Sequence, residues 1–207
     1  SDTAPSATEP AASDSTVPTA TEPAPSTSSA PSTTARRPGP IPLALGDSVM
    51  YSASGALRSA GVRVDAAIGR SFIDVTRLIP IYRALRQVGD VVVVGLGTAG
   101  GITQAQMDKA MKVLAPVPHV IFITPQAGGK SFELPSRAII LATASKYPNV
   151  TVIDWRELAQ DKLRFHQGAP GVAFSDLYFY RDRIHLVSKG RRYFADLILA
   201  EISRVQG

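Results

Sequence analysis

The sequence predicts an α/β protein, a flavodoxin-like, doubly wound three-layer sandwich around a five-stranded parallel sheet. Three observations lead there. Short apolar runs rich in Val and Ile alternate with segments whose apolar residues recur at helical spacing. Residues 91–94 are four valines without polar alternation, which marks a strand buried on both faces, as in a parallel sheet. Five such runs can be counted, each followed by a helix.

Residues 41–45 form the first run, stopped by Gly46, and Ala53, Ala56, Leu57 and Ala60 follow at helical spacing. Residues 62–68 are the second run, stopped by Gly69. Residues 71–87 read as a helix with Val75, Leu78, Ile79 and Tyr82 on one face, which Pro80 is expected to kink or split. After the valine strand, Thr103 and Gln106 have the spacing of a capping box, and Met107, Ala110, Met111 and Leu114 form the stripe behind it. Residues 120–124 are the fourth strand, 136–146 a helix, and 150–154 the fifth strand, with Trp155 at its end as a core residue. Residues 164–184 lack a period and read as a long loop. Ser188 is expected to cap a last helix with Phe194, Leu197, Ile198 and Val205 inward.

Composition narrows function. The 207 residues are 44% hydrophobic and contain no cysteine, which excludes a disulfide scaffold, a Cys-ligated zinc, an iron–sulfur cluster and a thiol nucleophile. His119, His166 and His185 are too scattered for a His-rich metal cluster, so neither metal nor cofactor is expected. No apolar run approaches the roughly 20 residues of a membrane helix. Residues 1–40 hold eight each of Ser, Thr, Pro and Ala and no aromatic, so they are expected to form a disordered tether, with the catalytic domain at 41–207. Setting aside the two arginines and four acids of that stretch leaves 20 bases and 13 acids, net +7. Such a body suits an anionic neighbour, an envelope polymer or membrane surface. Its bases form no run interleaved with aromatics, so nucleic acid is not an expected partner. The chain opens at Ser1 and shows no signal peptide, so a fragment of something longer or a processed product is expected, and the Ser/Thr/Pro/Ala tether points to an extracytoplasmic setting.

In folds of this class the site lies beyond the carboxyl ends of the strands. The first strand ends Gly46-Asp47-Ser48. A serine at that turn exposes its Oγ above the sheet and has its N–H in the first helical turn, where donors are unpaired. Asp182-Arg183-Ile184-His185, before the last helix, has a spacing that can bring a carboxylate to one imidazole nitrogen and leave the other for a serine proton. Together they make a triad of Ser48 nucleophile, His185 base and Asp182 orienter. Residues 95–100 match G-x-G-x-x-G, but they follow the third strand rather than the first, and no acid ends the next strand. Dinucleotide binding is therefore set aside.

These residues resemble the SGNH (GDSL-like) hydrolase superfamily over nearly all of 41–207. Gly46-Asp47-Ser48 matches its first block, Gly69 within Ile68-Gly69-Arg70-Ser71 its second, Leu96-Gly97-Thr98-Ala99-Gly100 its third and Asp182-Arg183-Ile184-His185-Leu186 its last. Leu45-Gly46-Asp47-Ser48-Val49-Met50, the Gly-Arg second block and Asp154-Trp155 look like the SGNH domains of envelope O-acetyltransferases, such as those acting on peptidoglycan. The resemblance implies a domain tethered to a membrane acyltransferase, on the periplasmic or cell-wall side. There a serine passes an acetyl group to an envelope sugar hydroxyl, with no cofactor. It also implies an oxyanion hole from Ser48, Gly69 and a third-block Asn. That Asn is replaced by Ala99, which has no side-chain donor; Thr98, Arg70 and Gln104 are the nearby substitutes. Asp47, Tyr178 and Tyr180 are the candidate substrate contacts. Three readings remain open: an O-acyltransferase, a carbohydrate O-acetyl esterase using water, and a weakly active sugar-binding module.

Overall fold

The computed structural model describes residues 40–207. The expected tether at 1–40 therefore lies, but for Pro40, outside the described residues. The described chain runs β1 (Leu43–Gly46), α1 (Ser48–Ser59), β2 (Arg63–Ala66), α2 (Val75–Ala84), β3 (Val91–Gly95), α3 (Gln104–Leu114), β4 (His119–Ile123), α4 (Glu133–Lys146), β5 (Val150–Ile153), α5 (Trp155–Leu163) and α6 (Ser188–Gln206). All strand pairs are parallel, in the order β2-β1-β3-β4-β5. That is the expected flavodoxin-like order, with its topological switch between β1 and β3.

The sheet is apolar on both sides because each face is covered by helices. Leu43, Leu45, Val92, Val94, Val120 and Phe122 point into one layer, with α2, α3 and α4. Ala44, Val91, Val93, Ile121 and Ile123 point into the other, against α1, α5 and α6. Adjacent residues thus serve opposite layers, the period of two that a strand imposes. Gly46 and Gly95 are paired across β1 and β3, and a Cβ on either would fall 2.3 or 2.7 Å from the Met50 side chain. Their bareness lets α1 lie close over the strand ends, and this seats its first turn at the switch point.

Several sequence expectations shift. α2 is one helix through Pro80, preceded by a 3-10 turn at Phe72–Asp74. Pro80 is solvent-exposed, so water can take the bond that the Thr76 carbonyl loses. Trp155 does not end a strand; it opens α5, an element the sequence reading lacked, and packs on Phe179, Tyr193 and Phe194. Ala56 and Ala60 are exposed, while Val49, Met50, Ala53 and Leu57 face the core. Val187, not Ser188, holds the N-cap position of α6, without a side-chain bond. The 164–184 segment is irregular, as expected, with one 3-10 turn at Phe174–Asp176.

Candidate active site

The last stretch before α6 is a tight hairpin. Phe179 and Leu186 form an antiparallel bridge and are fully buried. The Tyr180 N–H donates to the His185 carbonyl at 2.9 Å, and the Val187 N–H to the Tyr178 carbonyl at 3.2 Å. Gly190 completes the seat: a Cβ there would sit 2.0 Å from the Tyr178 carbonyl oxygen. The tip holds residues 181–184, and Arg183 takes a left-handed φ of 60° to close it.

Asp182 organises that tip. Its Oδ1 accepts from the Ile184 N–H at 2.9 Å and the His185 N–H at 3.0 Å, and its Oδ2 meets His185 Nδ1 at 2.6 Å. Burial raises this carboxyl, but the imidazole and the two amides outweigh it and hold it below the usual range. With Nδ1 turned to a carboxylate, Nε2 is left as the acceptor, and it lies 3.0 Å from Ser48 Oγ. The structure thus brings together Ser48, His185 and Asp182, from the first residue of α1 and a hairpin tip 137 positions later. Such an array can deprotonate a serine as it attacks a carbonyl carbon, then return the proton to a leaving group.

Asp47 departs from expectation. It is 1% exposed and cannot touch a substrate. Its Oδ1 accepts from the Val49 N–H at 3.1 Å, capping α1, and its Oδ2 accepts from the Thr98 N–H at 3.1 Å and hydroxyl at 2.6 Å. It ties the start of α1 to the loop after β3. Burial pushes its carboxyl above the usual range, and the Thr98 and Val49 bonds offset that only partly.

The three side chains considered as stand-ins for the missing amide each bond elsewhere. The only hydroxyl proton of Thr98 goes to Asp47. Arg70 forks onto the carbonyl and carboxylate of Asp65, which also accepts from the Tyr82 hydroxyl. Gln104 donates to Asp108 on an exposed stretch of α3. Arg70 instead braces the turn that carries Gly69, closed by the Arg70 N–H on the Ala67 carbonyl at 3.3 Å with Gly69 at φ 74°. The Gly69 N–H has no partner among the described residues. The Ser48 N–H, first in α1, lies beyond reach of any intrahelical acceptor. Ala99 is exposed and supplies no side-chain donor.

Beside the triad opens a groove of about 540 Å³ lined by Ser48, Tyr51, Ser52, Ile68, Tyr180, Asp182, His185, Leu186 and Arg191. Tyr180 is there as expected. Tyr178 is not; it packs on Phe165 and Tyr193 beneath Lys162 and Lys189. Tyr51, Ile68 and Arg191 were not singled out from sequence. Arg191 did leave a trace, since the first turn of α6 carries bases and no acid, contrary to what the helix dipole favours. Among the described residues no cluster of three or more His, Asp or Glu could hold a metal, and no helix is long and apolar enough to cross a membrane.

No protein-family model matches the chain. It is 27% identical over 159 residues to YrhL of Bacillus subtilis, a protein provisionally named as a peptidoglycan O-acetyltransferase, covering 76% of this chain and 23% of that one. It is 27% identical over 161 residues to the O-acetyltransferase OatA of Staphylococcus aureus, covering 76% and 24%. The chain thus spans about a quarter of the length of these relatives. Among solved structures, the C-terminal catalytic domain of Streptococcus pneumoniae peptidoglycan O-acetyltransferase A, with a methylsulfonyl adduct, matches at TM-score 0.68 and 21% identity, over 81% of this chain and 95% of that one. GDSL-like lipases and carbohydrate esterases share the architecture more distantly. The fold is that of the SGNH (GDSL-like) hydrolases.

The Asp47–Thr98 bond has a testable pH signature. The hydroxyl favours the charged carboxylate, so Thr98→Val should raise the Asp47 pKa further. Stability tied to a raised carboxyl is present at acid pH and is lost as pH rises through the folded-state pKa. The variant should therefore lose about 1–3 kcal/mol at neutral pH and less in acid, read from denaturant midpoints at the two pH values.

Proposed function

We propose that this domain, with its SGNH-hydrolase fold and its likeness to O-acetyltransferases, transfers an acetyl group to a hydroxyl of a cell-envelope glycan through an acyl-enzyme on Ser48. The observation that carries the proposal is the 3.0 Å contact between Ser48 Oγ and His185 Nε2, with Asp182 on the far side of the ring. In the first half-reaction Ser48 Oγ bonds to the acetyl carbonyl carbon while its proton passes to Nε2. The carbonyl oxygen gathers negative charge beside the Ser48 and Gly69 amides. The C–O bond to the donor breaks and the donor oxygen takes the proton. In the second half-reaction a sugar hydroxyl repeats the steps, Nε2 accepting its proton and returning it to Ser48. The names of the relatives point to a peptidoglycan-type acceptor. The relatives are about four times as long as the matched stretch, and the proposal places this domain outside the cytoplasm, in a longer chain with a membrane acyltransferase part that delivers acetyl.

The test is incubation with an activated acetyl ester and an envelope-type oligosaccharide. Acetylated sugar should accumulate, intact mass should show one acetyl on Ser48, and Ser48→Ala should show neither. An unmodified wild type, or a Ser48→Ala variant as active as wild type, would overturn the proposal. Free acetate in place of acetylated sugar at saturating acceptor would favour the esterase reading.

Asp182→Asn should lower kcat by about 10⁴-fold with the fold intact. Because Oδ1 accepts two backbone amides, an asparagine must turn its NH₂ towards Nδ1. This makes Nδ1 the acceptor and puts the proton on Nε2, where it faces Ser48. Stopped-flow acylation and circular dichroism check both halves.

The weakly active reading draws on Ala99 alone. With all three alternative side chains committed elsewhere, Ala99→Asn should speed acylation by up to about 10²-fold. An unchanged rate would mean the backbone amides already suffice.

A further inference from the structure

The catalytic groove contains a cationic group that the acyl-transfer steps do not use. Arg191 extends from the first turn of α6 into the same groove as Ser48 and His185. Its Nε donates to the Leu186 carbonyl at 2.9 Å, which fixes the plane of the guanidinium. No carboxylate lies within ion-pair distance of it among the described residues. Its two terminal nitrogens thus hold donors with no acceptor among the described residues. The remaining carboxylate of the groove, Asp182, is fully engaged with His185 and two backbone amides.

The groove's other walls are amphipathic or apolar. Tyr51, Ile68 and Tyr180 are 52%, 77% and 41% exposed around it, large surfaces suited to the face of a sugar ring. A half-buried, oriented and unpaired arginine fits the planar fork of a carboxylate or two oxygens of a phosphate. Cations are also disfavoured at a helix N-terminus, so this placement works against α6 unless an anion arrives.

We infer that the groove is a subsite for an acidic sugar, whose carboxylate or phosphate pairs with Arg191 while its ring lies against Tyr51 and Tyr180. This rests on the transfer reading for its place in the reaction, but not for its test, which measures binding alone. The anion would anchor the acceptor so that one hydroxyl of the sugar approaches the acylated Ser48.

The experiment uses the Ser48→Ala protein, which binds without turnover, and titration calorimetry with three oligosaccharides of equal length: neutral, carboxylate-bearing and phosphate-bearing. The acidic sugars should bind about tenfold or more tightly than the neutral one, and added salt should erase that margin. Arg191→Gln in the same background should remove the preference, and Arg191→Lys should keep part of it. Comparing the carboxylate and phosphate arms identifies the group. Equal affinity for neutral and acidic sugars in the Arg191 protein, or a preference that survives Arg191→Gln, overturns the inference. The salt and Lys arms decide the matter if the Gln variant fails to fold. An acid-selective groove in a protein that never acetylates Ser48 would leave this inference standing and remove the transferase reading.

Discussion

The site depends on one long-range hydrogen bond, from Ser48 Oγ to His185 Nε2, between residues 137 apart in the chain. Nothing local holds these two side chains together. Each is placed by packing: Ser48 by α1 lying on the bare strand ends at Gly46 and Gly95, His185 by a hairpin whose two roots, Phe179 and Leu186, are sunk in the core. The α1–α5–α6 layer is therefore more than a cover for the sheet. Trp155, packed on Phe179 and Phe194, links the root of the hairpin to the helix that follows it. Binding energy collected in the core fixes the geometry at the rim, which is what a preorganised site requires.

Three aspartates near the site show how environment divides labour among identical side chains. Asp182 is half-exposed, bound to an imidazole and two amides, and held below the usual carboxylate range. Asp47 is almost wholly buried and raised, and it joins the first helix to the third strand's loop. Asp65 gathers Arg70 and the Tyr82 hydroxyl and so braces the turn bearing Gly69. Arg70 and Thr98 thus bond to Asp65 and Asp47, and the proposed mechanism turns to the Ser48 and Gly69 amides for the oxyanion.

Much of this was legible in the sequence. The valine run of β3 and the glycine-stopped run of β1 are local signals, and parallel sheets bury both faces, so the α/β class followed from composition along the chain. Gly46-Asp47-Ser48 stood out as a serine at a strand end, and Asp182 to His185 as an acid three residues before a histidine ahead of the last helix. The misreadings were of a different kind. Asp47 next to a nucleophile looked like a substrate contact, but only the helix entry angle decides that its carboxylate points inward. Tyr178 and Tyr180 looked equivalent, yet the chain turns at 180, so one packs on Tyr193 and the other faces the groove. Arg191 lies in sequence within a cluster of bases, and its lack of a carboxylate partner among the described residues appears only once α6 is placed.

The most direct measurement is the labelling of the intact domain with a small sulfonyl fluoride, followed by peptide mapping. The hydrogen bond from Ser48 to His185 predicts one equivalent on Ser48, and slow labelling once His185 is replaced by glutamine. Labelling scattered over several hydroxyls, or a Ser48 rate indifferent to the loss of His185, would contradict it.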